Sequence, residues 1–351
     1  MSKKIISLAA GVAMMGGAAM ADTPKVAADI GPVHSLVSRV MQGIGTPDLV
    51  VQAGASPHSY SLRPSEAKAL QQAQMVFWMG EGLSPWMEGA LDTLSSDATI
   101  ITLLERDETI LMEFREGVLF EEHDHDDHAE HDDHGDEKHD DHGDEKHDDH
   151  GDEKHDDHKH DDHGDEKHDD HEGHDDHGHG SHDPHAWLSP DNAKIWLNLI
   201  ASQLSIADPE NAGTYFANAA AGRVEIDALK AEVSSLLESI RGKKFIVFHD
   251  AYQYFEKTFD ISASGAISLG DASKPSPARV AEIQGRIQEE SIDCVLSEPQ
   301  FNKGLVATVM AGSNAKTSVI DPLGVGLTPG PDLYSHLIRS MGKSLVDCFE
   351  S

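Results

Sequence analysis

The chain has 351 residues, with 63 Asp and Glu against 27 Lys and Arg, a formal net charge of −36, 24 histidines and two cysteines. So acidic a balance argues against nucleic acid as a partner and for cations. The length leaves room for two lobes of ordinary domain size beside an acidic tract described below.

The first 21 residues read as a secretory leader: Lys3 and Lys4, an apolar run from Ile5 to Met20, and an A-x-A cleavage site at Ala19-Met20-Ala21. A mature protein beginning at Asp22 has no nearby cysteine to carry a lipid, so a freely diffusing periplasmic protein is expected. From Lys25 onward short apolar runs alternate with helical patterns, as in parallel α/β lobes. Strands are predicted over Val26–Ile30, Leu49–Gln52, Met75–Met79 and Thr99–Leu103, with helices over the segment after Ile30 to Gly43 and over Pro64–Gln72, the latter opened by proline in its first turn.

Residues 121–182 interrupt this pattern. They hold nineteen histidines and 29 acidic residues against 5 lysines, and HDDHGDEK recurs intact from His131, His139, His147 and His160. With one alanine and no larger apolar residue, the segment cannot offset the entropy of ordering and is expected to be a solvated, disordered loop. Its chemistry is metal binding, because neutral imidazoles in HxxH pairs beside carboxylates can close on zinc, copper or nickel without a preformed pocket. The ligands expected for this low-affinity role are His123, His125, His128, His131, His134, His139, His142, His147, His150, His155, His158, His160, His163, His168, His171, His174, His177, His179 and His182.

Beyond it, Ser189 is a good helix N-cap with Pro190 in the first turn. Pro209 to Arg241 reads as one unusually long helix, of about 45 Å, able to bridge two lobes. A second lobe opens with the strand Lys244–Phe248. SLRPSEAKALQQAQMVFWMG and SKPSPARVAEIQGRIQEESIDCVLSE share a Pro-started helix running into an apolar strand, a hint of duplicated halves. The expected fold is therefore α/β, with two lobes, each a mostly parallel sheet flanked by helices, joined by one long rigid helix. The expected division is an N-terminal lobe over 22–205, a linking helix over 206–241 and a C-terminal lobe over 242–351. Two cysteines in an exported chain most simply pair, so Cys294 and Cys348 are expected to form a disulfide.

Outside the acidic tract only His34, His58, His185, His249 and His336 remain. His249 ends the strand KFIVFHD and Asp321 ends SVID, and ligands of open α/β sheets sit beyond such strand ends. His58 follows the strand LVVQ in the same way, and His185 precedes a capped helix. Three imidazoles and one carboxylate would make a tetrahedral zinc site, whereas manganese would prefer more oxygen donors. Asp183 is expected to orient His185 through its other ring nitrogen, and Glu298 and Tyr60 are further neighbours expected around the metal. His34 and His336 are assigned structural and solvent-facing positions. A zinc hydrolase would use a similar ligand set, but the chain has no HExxH and no Ser-centred nucleophile motif, so no enzymatic activity is expected.

GASPHSYSLRPSEAKAL, DPHAWLSPDNA, FHDAYQYFEKTF, SEPQFN and VIDPLG occur in this order around a His-rich insertion. The set resembles the family of periplasmic zinc-binding components of high-affinity zinc ABC importers, the ZnuA family. The resemblance implies that His58, His185 and His249 are zinc ligands. The third position is a carboxylate in related manganese binders, so His249 favours zinc. Some members carry Glu immediately before the first ligand, where this chain has Pro57. Asp321 matches the Asp of the family's DPLG and is the expected fourth ligand, with water as the alternative; the family also implies the Cys294–Cys348 disulfide. The implied function is periplasmic Zn²⁺ capture and delivery to an inner-membrane ABC permease by a monomer. The loop would act as a collector that also docks an auxiliary periplasmic zinc chaperone, with zinc storage as the alternative role.

Overall fold

The computed structural model describes residues 23–115, 120, 182–268, 270, 275–301 and 303–350. The expected leader and the histidines from His123 to His179 lie outside them. Strands β1 (Val26–Ala28), β2 (Asp48–Leu49), β3 (Met75–Trp78) and β4 (Thr99–Thr102) form one sheet in the order β2-β1-β3-β4. Strands β5 (Phe245–His249), β6 (Ala266–Ser268), β7 (Cys294–Ser297) and β8 (Lys316–Val319) form a second in the order β6-β5-β7-β8. Every pairing in both sheets is parallel. The two sheets share one strand permutation, in line with the repeated helix-to-strand phrases. Strands β1, β3 and β5 are buried at every residue, which explains their unbroken apolar runs in place of alternation.

Helices α1 (Gly31–Val40), α2 (Pro64–Gln72), α3 (Pro85–Leu94) and α4 (Pro190–Ala207) accompany the first sheet, and α6 (Gln253–Phe259), α7 (Pro277–Glu289), α8 (Lys303–Val309) and α9 (Leu333–Glu350) the second; α5 (Ala212–Leu237) lies between them in sequence. Proline opens α2, α3, α4 and α7, where its missing N–H costs nothing. Ser189 caps α4 as expected, its hydroxyl accepting the Asn192 amide at 3.2 Å.

The linking helix α5 has 26 residues and spans about 39 Å. It is shorter than the sequence suggests. Pro209–Asn211 and Glu238–Ile240 tighten into 3₁₀ turns, and 206–207, expected in the link, complete α4. Asp208 sets the start, accepting from Asn211 Nδ2 at 2.7 Å and Tyr215 Oη at 2.8 Å. Tyr215, Ala219, Gly222, Ile226, Leu229, Val233 and Leu237 make one buried stripe at helical spacing. At Gly222 a Cβ would stand 3.0 Å from Leu197 of α4, and at Gly342 of α9 one would stand 3.0 Å from Val233 of α5. The helix is thus packed tightly against both lobes. Helices α1 and α9 also meet, with Ser35 Oγ donating to Pro331 O at 3.1 Å and accepting the Tyr334 amide at 2.9 Å.

Cys294 in β7 and Cys348 in α9 are buried and joined as a disulfide across 54 residues of sequence. Closing a loop of that length restricts the unfolded chain by up to about 4 kcal/mol. Replacing both cysteines by serine should lower the unfolding free energy by about 2 to 4 kcal/mol in denaturant titrations. Zinc affinity should stay unchanged, because neither sulfur belongs to the metal-ligating group.

Candidate metal site

In each sheet the chain leaves its first strand for opposite neighbours, so the crevice at the carboxyl ends of β1 and β3, or of β5 and β7, is a topological switch point where α/β ligands bind. In the first lobe a carboxylate fills it. Asp29 is fully buried, accepts the Ile30 and Met79 amides at 2.7 Å each, and is pushed by burial up to about 7. In the second lobe the same crevice holds His249, the last residue of β5, and Glu298, the residue after β7.

His249 Nδ1 lies 2.6 Å from Glu298 Oε1, and both residues are buried. The other carboxylate oxygen accepts from Gln300 Nε2 at 2.8 Å. His185 is held in a matching way: Asp183 Oδ1 accepts its backbone amide at 2.9 Å and lies 2.6 Å from its Nδ1, while Oδ2 accepts from Gln253 Nε2 at 2.6 Å. With each Nδ1 donating to a carboxylate, each Nε2 carries the lone pair that a metal needs. His185 Nε2 is buried and has no hydrogen-bond partner.

His58 comes from the turn-rich segment between β2 and α2 and is half-buried. Its place is set by the preceding carbonyl: Pro57 O accepts from Trp86 Nε1 at 2.7 Å and from Ser84 Oγ at 3.1 Å, both at the start of α3. Ring centroids of His58 and His185 are 5.5 Å apart, and those of His185 and His249 5.3 Å. One ligand atom from each of the three lies within 4.8 Å of the other two. Tetrahedral zinc with nitrogens at 2.0–2.1 Å requires a nitrogen spacing of roughly 3.3 Å, so the three rings need close by no more than about 1.5 Å.

The structure does not include Asp321 in this group of three. Its Oδ1 accepts the amides of Leu323 at 3.1 Å and Gly324 at 2.8 Å, and its Oδ2 that of Val325 at 2.6 Å. Oδ2 retains a lone pair and Oδ1 does not. Tyr60 points its hydroxyl at Glu66 Oε1, 2.8 Å away, and so fastens the His58 segment to the first turn of α2. Trp187 lies beside His185, with centroids 5.2 Å apart, and its indole N–H donates across the lobes to Pro322 O at 2.9 Å. Tyr252 is buried near His249, and burial together with the Glu298 carboxylate holds its phenol well above the usual range. His34 is structural, with Nε2 3.0 Å from Pro47 O, and His336 is exposed on α9. His182 pairs with Glu113 in an isolated antiparallel bridge.

The two glutamines and the Ser84–Trp86 clamp escape sequence reasoning. A lone glutamine carries no ligand signature, and the clamp acts through a backbone carbonyl.

Two parallel α/β lobes on one helix, with three imidazoles gathered where β5 and the His185 turn approach, define a two-lobed metal-binding protein. A profile of the family described as zinc-uptake complex component A, periplasmic, matches residues 26–348, and the chain belongs to this ZnuA family. It is 43% identical over 348 residues to the high-affinity zinc uptake system protein ZnuA of Paracoccus denitrificans, covering 99% of this chain and 98% of that one. It is 42% identical over 333 residues to the protein of the same name from Brucella abortus, covering 95% and 94%. Among solved structures, a crystal structure of ZnuA superposes with a TM-score of 0.67 at 19% identity, over 93% of this chain and all of the other. The zinc-bound ZnuA-like domain of Streptococcus pneumoniae AdcA gives 0.62 at 20% identity, over 94% of this chain and all of the other. The metal of the family is zinc, and no described helix is long and apolar enough to cross a membrane.

Replacing Asp183 by Asn or Glu298 by Gln should weaken zinc binding about 10- to 100-fold, since each removes the partner that orients a ring. Chelator competition would measure it.

Proposed function

We propose that the protein captures Zn²⁺ between its lobes through His58, His185 and His249 and passes it to an inner-membrane ABC permease. One observation carries the reading. Three imidazoles from separate segments converge, and one of them, buried His185, presents a ring nitrogen with no partner. A buried polar atom left unsatisfied is costly unless something fills the place beside it. A ligand set dominated by imidazoles, with His249 at the third position, suits zinc better than manganese, in keeping with relatives named as zinc uptake proteins.

For the fourth position we favour Asp321 through Oδ2, with water as the alternative; loss of affinity in Asp321→Ala selects the carboxylate, and unchanged affinity selects water. The insertion is proposed as a weak, fast-exchanging collector that raises local zinc and docks an auxiliary chaperone, rather than as a store. The leader over 1–21 would deliver the chain to the periplasm.

His249→Ala should abolish the tightest site in calorimetry, while deletion of 121–182 should spare it; the reverse pattern would refute the assignment. The deletion should also slow loading when zinc is scarce. Imidazole must lose its proton to bind, so both insertion and cleft should bind zinc progressively more weakly as pH is lowered below roughly 6.5.

A further inference from the structure

Asp183 is the carboxylate that aims His185, yet it belongs to the stretch leaving the acidic insertion, far in sequence from the second-lobe ligand His249. Its position depends on what it is fastened to. Asp183 N donates to Met112 O at 2.8 Å, and Glu113 bridges to His182, so the two ends of the insertion pair antiparallel. This pair lies on α6 of the second lobe. Tyr254 Oη accepts the Met112 amide and donates to Asp183 O, both at 2.9 Å, and Arg115 forms ion pairs with Asp250 and Glu256.

Gln253 stands at the junction. Its side chain is buried at 8% exposure, and its Nε2 donates to Asp183 Oδ2 at 2.6 Å and to Glu113 O at 3.0 Å. Both hydrogens of the amide are therefore used, one on the carboxylate that orients a ligand and one on the backbone of the insertion's first stem. As a neutral donor it fixes the carboxylate without cancelling the charge that makes the imidazole a stronger ligand. Gln300 does the same chemistry on Glu298, but from two residues away within one lobe. Gln253 reaches across lobes, from the first turn of the helix that follows His249.

We propose that Gln253 is a positioning residue for metal binding, registering the His185–Asp183 pair of one lobe against His249 of the other. The inference rests on the proposed zinc site. Gln253 is not one of the three gathered residues and both its amide hydrogens are committed, so its effect on the metal passes through Asp183.

The test uses the full chain and four variants: Gln253→Met, Asp183→Asn, the double variant, and His249→Ala as control. Zinc affinity is read by chelator competition, ligand geometry by the visible spectrum of the Co²⁺ form, and folding by apo-protein melting. Gln253→Met should bind zinc about tenfold more weakly, with an altered Co²⁺ spectrum and an unchanged apo melting point, and should add no loss to Asp183→Asn. Wild-type affinity in Gln253→Met, or additive losses in the double variant, would overturn the proposal. So would a collapse of apo melting in both Gln253→Met and the milder Gln253→Asn, which would assign the residue to folding. Tight zinc in His249→Ala would instead remove the site itself, so the two failures are separable.

Discussion

Two hydrogen bonds of 2.6 Å, Asp183 to His185 and Glu298 to His249, set the terms for the rest of the site. Each fixes a ring tautomer and its rotation at once, so that Nε2 is the nitrogen carrying the lone pair a cation needs. Both carboxylates are buried, where an unpaired charge would be costly, and each is completed by a glutamine amide. A bound divalent ion would then meet imidazoles already turned toward it and carboxylates already paid for in the fold. His58, half-exposed on a turn-rich segment, is the ligand with the greatest freedom to complete the set.

Bringing such groups together is a problem of architecture. The second-lobe crevice between β5 and β7 supplies His249 and Glu298 from adjacent strand ends, while the corresponding crevice of the first lobe is closed by Asp29 and its two amides. Ligands from the first lobe therefore arrive on loops, His58 ahead of α2 and His185 ahead of α4. Their register against His249 depends on the inter-lobe packing. Helix α5 contributes through its close approaches at Gly222 and Val233, and the α1–α9 contact and the α6 tether add to it. A strut that shares its packing with both lobes opposes wide hinge motion.

Much of this was legible in the sequence. Prolines at helix starts, the apolar strand ending in His249, and the Ser189 cap marked two α/β lobes and a long helix linking them, though not that helix's ends, and the ordered motifs named the three histidines that come together. What escaped reading was set by contacts distant in sequence. The start of α5 depended on the Asp208 side chain, which competes with helix propensity. The bond from the Tyr60 hydroxyl to Glu66, which fastens the His58 segment to α2, has no counterpart in the motif pattern. Asp321 stands two residues past the end of β8, and its carboxylate accepts three following amides, a local preference of Asp in turns that composition does not reveal. Gln253 was invisible because its partner lies 70 residues away on the other lobe.

The central claim is that imidazoles of residues 58, 185 and 249 share one ion. Diffraction from zinc-loaded crystals of the protein lacking 121–182, collected on both sides of the zinc absorption edge, tests it most directly. The account requires a single strong anomalous peak about 2.0 to 2.1 Å from all three ring nitrogens. A peak elsewhere on the molecule, or one touching only one of the three rings, would contradict it.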